Sequence, residues 1–273
     1  MNVLSAAVLD ALGARLEEVE RDPETRVVIL ASAQERAFGA GANIREMAGI
    51  TPAQARVHGG RGQAVTARIE RLPLPVIAAV HGTCLGGGCE VALACDFIVA
   101  SEDAIFGQPE ITLGVMPGWG GTRRLPRRVG AARGRWWIYS GRSVPAAEAE
   151  RQGLVLRVVP RPELLPTALA MAEELAQKPA LALAAAKYAV NEAIDPGLGA
   201  GLSYELSLWS QLFGSADQKE GMQAFLEKRP AKFKGRAEWE TASRGFPWQT
   251  RSGPSPRPRR SATHAPRRGK QKS

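Results

Sequence analysis

Gly86, Gly87 and Gly88 stand between an apolar run, Val76 to Val80, and a short stretch of helical character, Cys89 to Cys95. A strand that enters a glycine turn and leaves as a helix exposes the first N–H groups of that helix, which have no acceptor within it. The macrodipole adds partial positive charge at the same end. Such a turn binds anions, or stabilises negative charge that develops during a reaction. Glu90 follows in the first helical turn, so a carboxylate stands close to those N–H groups. Taken alone, the triplet equally fits a helix that packs closely on a strand.

A second bend narrows the choice. Gln108-Pro109-Glu110 follows the apolar pair Ile105-Phe106, and Pro117-Gly118-Trp119-Gly120-Gly121-Thr122 then opens another helix. Pro109 fixes the backbone ahead of Glu110. A carboxylate placed among Ile111, Leu113, Val115 and Met116 is expected to titrate high and to serve as an acid. Glu90 and Glu110 are therefore the catalytic candidates.

The segment that holds both turns, HGTCLGGGCEVALACDFIVASEDAIFGQPEITLGVMPGWGGTRRL, resembles the central signature of the enoyl-CoA hydratase/isomerase (crotonase) family. The likeness runs from Asn2 to about Lys234. It implies a spiral of ββα units, with coenzyme A as part of the substrate and no permanently bound cofactor or metal. It also implies an oxyanion hole from the N–H groups of Gly87 and Ala42. Glu90 would then act on water and Glu110 would deliver a proton to the α-carbon. Hydratases keep both glutamates, so the implied activity is addition of water across the 2,3 double bond of an enoyl-CoA. The same-fold alternative is an enoyl-CoA isomerase or another acyl-CoA enzyme. Coenzyme A contacts are implied for Ala42, Asn43, Ile44, Arg45, Gly87, Phe225 and Lys228. Most members have Asp in place of Asn43 and often Lys in place of Arg45. Neither change touches a backbone N–H. A homotrimer or hexamer is implied as well.

The formal charge of +9 invites a nucleic-acid reading, yet residues 237–273 alone carry nine basic and two acidic residues. Positions 1–236 hold 27 basic and 25 acidic residues, so the body is nearly neutral. The tail is rich in Pro, Ser and Arg and poor in apolar residues, a composition that does not order itself. Binding of nucleic acid through this tail is the alternative of another class, and the less favoured one. Cys84, Cys89 and Cys95 crowd the glycine turn, and their odd number does not suggest a disulfide framework. They read as small buried residues in a reducing cytoplasm. The longest uncharged run, Leu72 to Cys89, contains prolines and glycines and is no membrane helix.

Along the chain, apolar residues from Val3 to Val19 recur at helical spacing, and Asp22-Pro23 ends that helix. Family members usually carry a β-hairpin before it, so a missing N-terminal hairpin is expected. Val27 to Ala31 and Val76 to Val80 read as buried strands, and Ala37 to Met47 as a small-residue loop leading into a helix. Thr51-Pro52 caps a helix reaching Arg71. Ser143-Val144-Pro145 reads as a helix start, and Leu154 to Val159 as a last strand. Strands alternating with helices predict an α/β class. The expected divisions are a core at 1–160, a helical region at 161–236 and the basic tail at 237–273. In the helical region, Leu202, Leu206, Trp209, Leu212 and Phe213 form an apolar stripe suited to a core or a subunit contact. Asp96 and His81 read as structural hydrogen-bonding groups.

Overall fold

The computed structural model describes residues 2–192 and 198–234. The basic tail expected at 237–273 lies outside these residues. The chain begins with α1 (Ala6–Arg21), whose N-cap Ser5 accepts the N–H of Val8 at 3.3 Å. Val3 and Leu4, expected within this helix, precede it. Leu4 instead forms a parallel bridge with Ala42, and its N–H donates to Gly41 O at 2.9 Å. The first residues thus brace the loop that carries Ala42.

The path continues through β1 (Val28–Ala31), β2 (Ala37–Gly39), α2 (Ile44–Met47), α3 (Pro52–Arg71), β3 (Val76–Val80) and β4 (Thr83–Leu85). Next come α4 (Gly87–Ala94), β5 (Phe97–Ser101), β6 (Ile105–Gly107), a 3₁₀ turn (Pro109–Leu113), α5 (Gly121–Val129) and α6 (Ala131–Ser140). Then follow β7 (Ser143–Pro145), α7 (Ala146–Arg151) and β8 (Arg157–Val159). Four helices close the described chain: α8 (Leu164–Ala176), α9 (Ala180–Glu192), α10 (Leu198–Leu212) and α11 (Ala216–Leu226).

From β1 to β6, successive strands alternate between two sheets. One is parallel, in the order β1-β3-β5-β8; the other runs β2-β4-β6-β7, with β7 antiparallel to β6. Each turn of the chain from β1 to β6 therefore gives one strand to each sheet and then a helix, the ββα spiral that the resemblance implied. Four local expectations change. β1 is a half-buried edge strand rather than a buried one. Ala37 to Gly39 is a fully buried strand, not a loop. Ser143 to Pro145 is a strand, because Val144 pairs with Phe106 before α7 begins at Ala146. Leu154 and Val155 are buried but precede β8.

α4 is buried along its whole length, packed against β2 and β4 and between α3 and α5. Such a helix can be apolar all round, and Glu90 is its only charge. Arg128 closes its far end by donating to the carbonyls of Leu93, Cys95 and Asp96. Lys187 of α9 is nearly buried. Its Nζ pairs with Asp96 at 2.8 Å and also donates to the carbonyls of Ile69 and Leu74. Asp96 Oδ2 further accepts Val76 N–H at 2.7 Å, and His81 Nε2 lies 2.7 Å from Gln34 O. Both residues are structural, as the sequence suggests.

α3 supplies the wall behind the glycine turn. Thr51 and Gln54 form a full capping box at its start. Two of its three glycines, Gly59 and Gly60, have open space where a Cβ would stand, whereas Gly62 does not. Gly59→Ala and Gly60→Ala should each stabilise the fold by about 0.5–1 kcal/mol through helix propensity. Urea unfolding of the two variants reads this directly; a lowered midpoint would contradict it.

Candidate active site

Backbone approaches too tight for side chains build the centre of the site. Gly86 takes φ +53° just before α4, and Gly41 takes φ +98°. A Cβ on Gly41 would stand 3.5 Å from Leu85 O and 4.0 Å from Gly87 N, so the two glycine loops lie side by side. Gly39 and Gly88 are closer still: a Cβ on Gly88 would lie 2.1 Å from Gly39 O. Ala42 follows Gly41, and Gly87 is the first residue of α4. The structure thus brings together the two residues expected to form an oxyanion hole. Gly87 N–H is among the first-turn donors that α4 itself leaves without an acceptor.

Glu90 sits one turn into α4 and is only 2 % exposed. Its Oε1 accepts two backbone N–H groups, from Trp119 and Gly121, each at 2.7 Å. Burial pushes its carboxyl above the usual range, while the N–H groups of Gly121 and Trp119 and the charge of Arg124 pull it back. The loop that holds it is itself anchored. Trp119 O accepts from Thr66 Oγ1 and Arg124 Nη1, both at 2.9 Å, and Gln63 Nε2 donates to Gly118 O at 2.9 Å.

Glu110 stands in the 3₁₀ turn after β6, on the other side of the glycine turn. A Cβ on Gly86 would be 3.2 Å from its Oε1. Burial raises its pKa to about 7; its own backbone N–H opposes the rise, and the charge of Glu90 adds to it. The cause differs from the expected one, because Ile111, Leu113, Val115 and Met116 are all exposed. The 3₁₀ turn and the residues after it face them outward, and the glycine turn and Gln108 lie against the carboxyl instead. Gln108, fully buried, sets its amide against Glu110; with the amide nitrogen turned toward the carboxyl it donates to Oε1 at 3.1 Å and Oε2 at 3.3 Å. Sequence reasoning missed Gln108 as a site residue, although it adjoins Pro109-Glu110.

The residues expected to touch coenzyme A divide into two groups. Asn43 caps α2 by accepting Arg45 N–H at 3.2 Å and donates to Glu46 Oε1 at 2.9 Å. Glu46 Oε2 in turn accepts Ala6 N–H at 3.1 Å. Asn43, Ile44 and Arg45 therefore border the loop that carries Ala42. Phe225 and Lys228 do not join them. Phe225 is 83 % exposed on α11. Lys228 follows that helix with φ +54°.

A cavity of about 420 Å³ lies at the opposite end of α4, away from both glutamates. Its wall includes Arg124, paired with Glu70, and Lys187, paired with Asp96. Cys84, Cys89 and Cys95 are free and buried. Among the described residues no group of His, Cys, Asp and Glu could hold a metal ion, and no helix is long and apolar enough to cross a membrane.

Comparison with known proteins agrees with this geometry. The profile of the Enoyl-CoA hydratase/isomerase family matches residues 1–236. A probable enoyl-CoA hydratase of Rhizobium meliloti is 48 % identical over 239 residues, covering 86 % of this chain and 91 % of that one. A crotonyl-CoA hydratase of Syntrophomonas wolfei is 42 % identical over 233 residues, covering 85 % and 90 %. The crystal structure of an enoyl-CoA hydratase from Bacillus anthracis superposes with a TM-score of 0.81 at 42 % identity, covering 85 % and 90 %. With the spiral, the paired glycine loops and both carboxylates in place, the chain belongs to the enoyl-CoA hydratase/isomerase family.

Proposed function

We propose that this protein is an enoyl-CoA hydratase that converts a 2,3-enoyl-CoA and water to a 3-hydroxyacyl-CoA. The observation that carries the reading is the unequal pair of glutamates flanking one glycine turn. Glu90 is held by two N–H donors that favour its charged form and oppose the rise that burial causes, whereas burial raises Glu110 to about 7. Two carboxylates in such different surroundings can act as base and acid in one reaction.

In this reading the thioester oxygen accepts from Gly87 and Ala42 N–H. Negative charge moves onto that oxygen as water adds to the β-carbon. Each fixed donor of this kind contributes on the order of 3 kcal/mol to the transition state. Glu90 takes the proton of the attacking water, and Glu110 gives its proton to the α-carbon. Coenzyme A enters only as part of the substrate, its adenine end beside Asn43, Ile44 and Arg45. Phe225 and Lys228 would serve a site on a neighbouring subunit. The exposed face of Leu202, Leu206, Trp209 and Phe213 supports assembly into a trimer or hexamer. Leu208, between them in sequence, packs inward with Leu181 and Ala185, and Leu212 of the expected stripe packs against that cluster instead of joining the exposed face. Three free buried thiols suit a reducing cytoplasm.

Mixing the protein with crotonyl-CoA should remove the conjugated enoyl absorbance and yield 3-hydroxybutyryl-CoA. A folded preparation that binds coenzyme A thioesters without hydrating any enoyl-CoA would sink this reading in favour of another acyl-CoA chemistry.

A further inference from the structure

The indole of Trp119 occupies an unusual position. It is only 4 % exposed, and it is clasped between two glycines. A Cβ on Gly87 would lie 2.3 Å from ring atom Cζ3, and one on Gly62 would lie 2.2 Å from Cδ2 and Cε2. The ring therefore spans the space from the first residue of α4 to the inner face of α3. Behind it on α3, the His58 ring is 6.3 Å away, centroid to centroid. The backbone cannot move aside easily, because Trp119 N–H holds Glu90 and its carbonyl is held by Thr66 and Arg124. A bulky aromatic fixed on a catalytic N–H residue and tied to a catalytic carboxylate is a wall of the reaction site.

Resting on the hydratase reading, we propose that Trp119 closes the acyl end of the site and restricts the enzyme to short-chain enoyl thioesters. The thioester oxygen is fixed at Gly87 N–H, and the β-carbon must reach the water at Glu90. Carbons beyond the β-position then continue past Glu90, where the indole stands. Crotonyl-CoA ends before that wall, whereas a ten-carbon chain must displace it. Each methylene that finds no room forfeits its burial and adds overlap, so discrimination grows steeply with chain length.

The test measures kcat/KM for crotonyl-CoA and 2-decenoyl-CoA, together with calorimetric affinities for butyryl-CoA and decanoyl-CoA. The wild type should favour the four-carbon substrate by at least about a hundredfold, and decanoyl-CoA should gain no affinity over butyryl-CoA. Trp119→Ala should shift both ratios toward the long chain by at least about tenfold. Ratios cancel any loss of active protein, and Trp119→Leu serves as a gentler variant if the alanine form does not fold. A wild type that handles both lengths alike would overturn the proposal. So would a folded variant whose ratios stay within about twofold of wild type. Discrimination between the two saturated thioesters with no hydration of any enoyl-CoA would support the wall and overturn the hydratase reading instead.

Discussion

Glu90→Gln and Glu110→Gln should each lower kcat for hydration of crotonyl-CoA by at least about a hundredfold. Both exchanges are isosteric. The glutamine oxygen at position 90 can still accept the N–H groups of Trp119 and Gly121, so the loop keeps its anchor while the base is lost. At position 110 the amide cannot deliver a proton to carbon. Because both groups act on one transition state, the double variant should fall little below the worse single one. A folded single variant that hydrates at the wild-type rate would remove its residue from the mechanism. Stability gives a second readout. Glu110 titrates at about 7 in the native state, above its ordinary value of 4.5, so the folded protein holds a proton that the unfolded chain has released. Its contribution is full below pH 4.5, declines as pH rises through about 7, and is flat above. Wild type should therefore lose stability relative to Glu110→Gln between pH 5 and 8, as read by urea unfolding at each pH.

The chemistry was more legible in the sequence than the walls around it. Glu90, Glu110 and Gly87 sit in contiguous motifs whose turns set their placement, so residue order carried that much; Ala42 came only from the family resemblance. Trp119 acts through contacts between segments remote in sequence, meeting Gly62 of α3 and Gly87 of α4. Gln108 lies only two residues before Glu110, and the 3₁₀ turn between them, rather than residue type, sets its side chain against the carboxyl. No local pattern encodes such meetings. The strands β4 and β7 are three residues long, too short for alternation to register. Ser143-Val144-Pro145 imitates a helix cap because serine followed by proline is the ordinary start signal, and pairing with Phe106 overrides it. The apolar residues after Glu110 misled for a different reason: they predicted burial by composition, whereas the turn faces them to the surface.

The approach of Gly88 to Gly39 is the contact on which the proposed oxyanion hole depends, and Gly88→Ala is expected to damage both fold and catalysis. The added Cβ would meet Gly39 O at 2.1 Å, Gly39 C at 2.5 Å and Gly39 Cα at 2.7 Å. All three are backbone atoms, so no side-chain rotation relieves the overlap. β2 cannot retreat freely either: Phe38 N–H is bound to His81 O at 3.0 Å, and Phe38 O accepts from Asn2 Nδ2 at 2.7 Å. Overpacking of this kind typically costs about 1–3 kcal/mol of stability. The displacement would fall between Gly87, one residue before the new methyl group, and Ala42, three residues after Gly39. A shift on the order of 1 Å in catalytic geometry can lower a rate about a hundredfold, and the loss should appear in kcat more than in KM because the donors act mainly on the developing charge. Gly59→Ala adds the same methyl to open helix surface and should leave kcat unchanged. Should Gly88→Ala match wild type in both urea midpoint and kcat, the close approach of β2 and α4 would not be what sets the two amides.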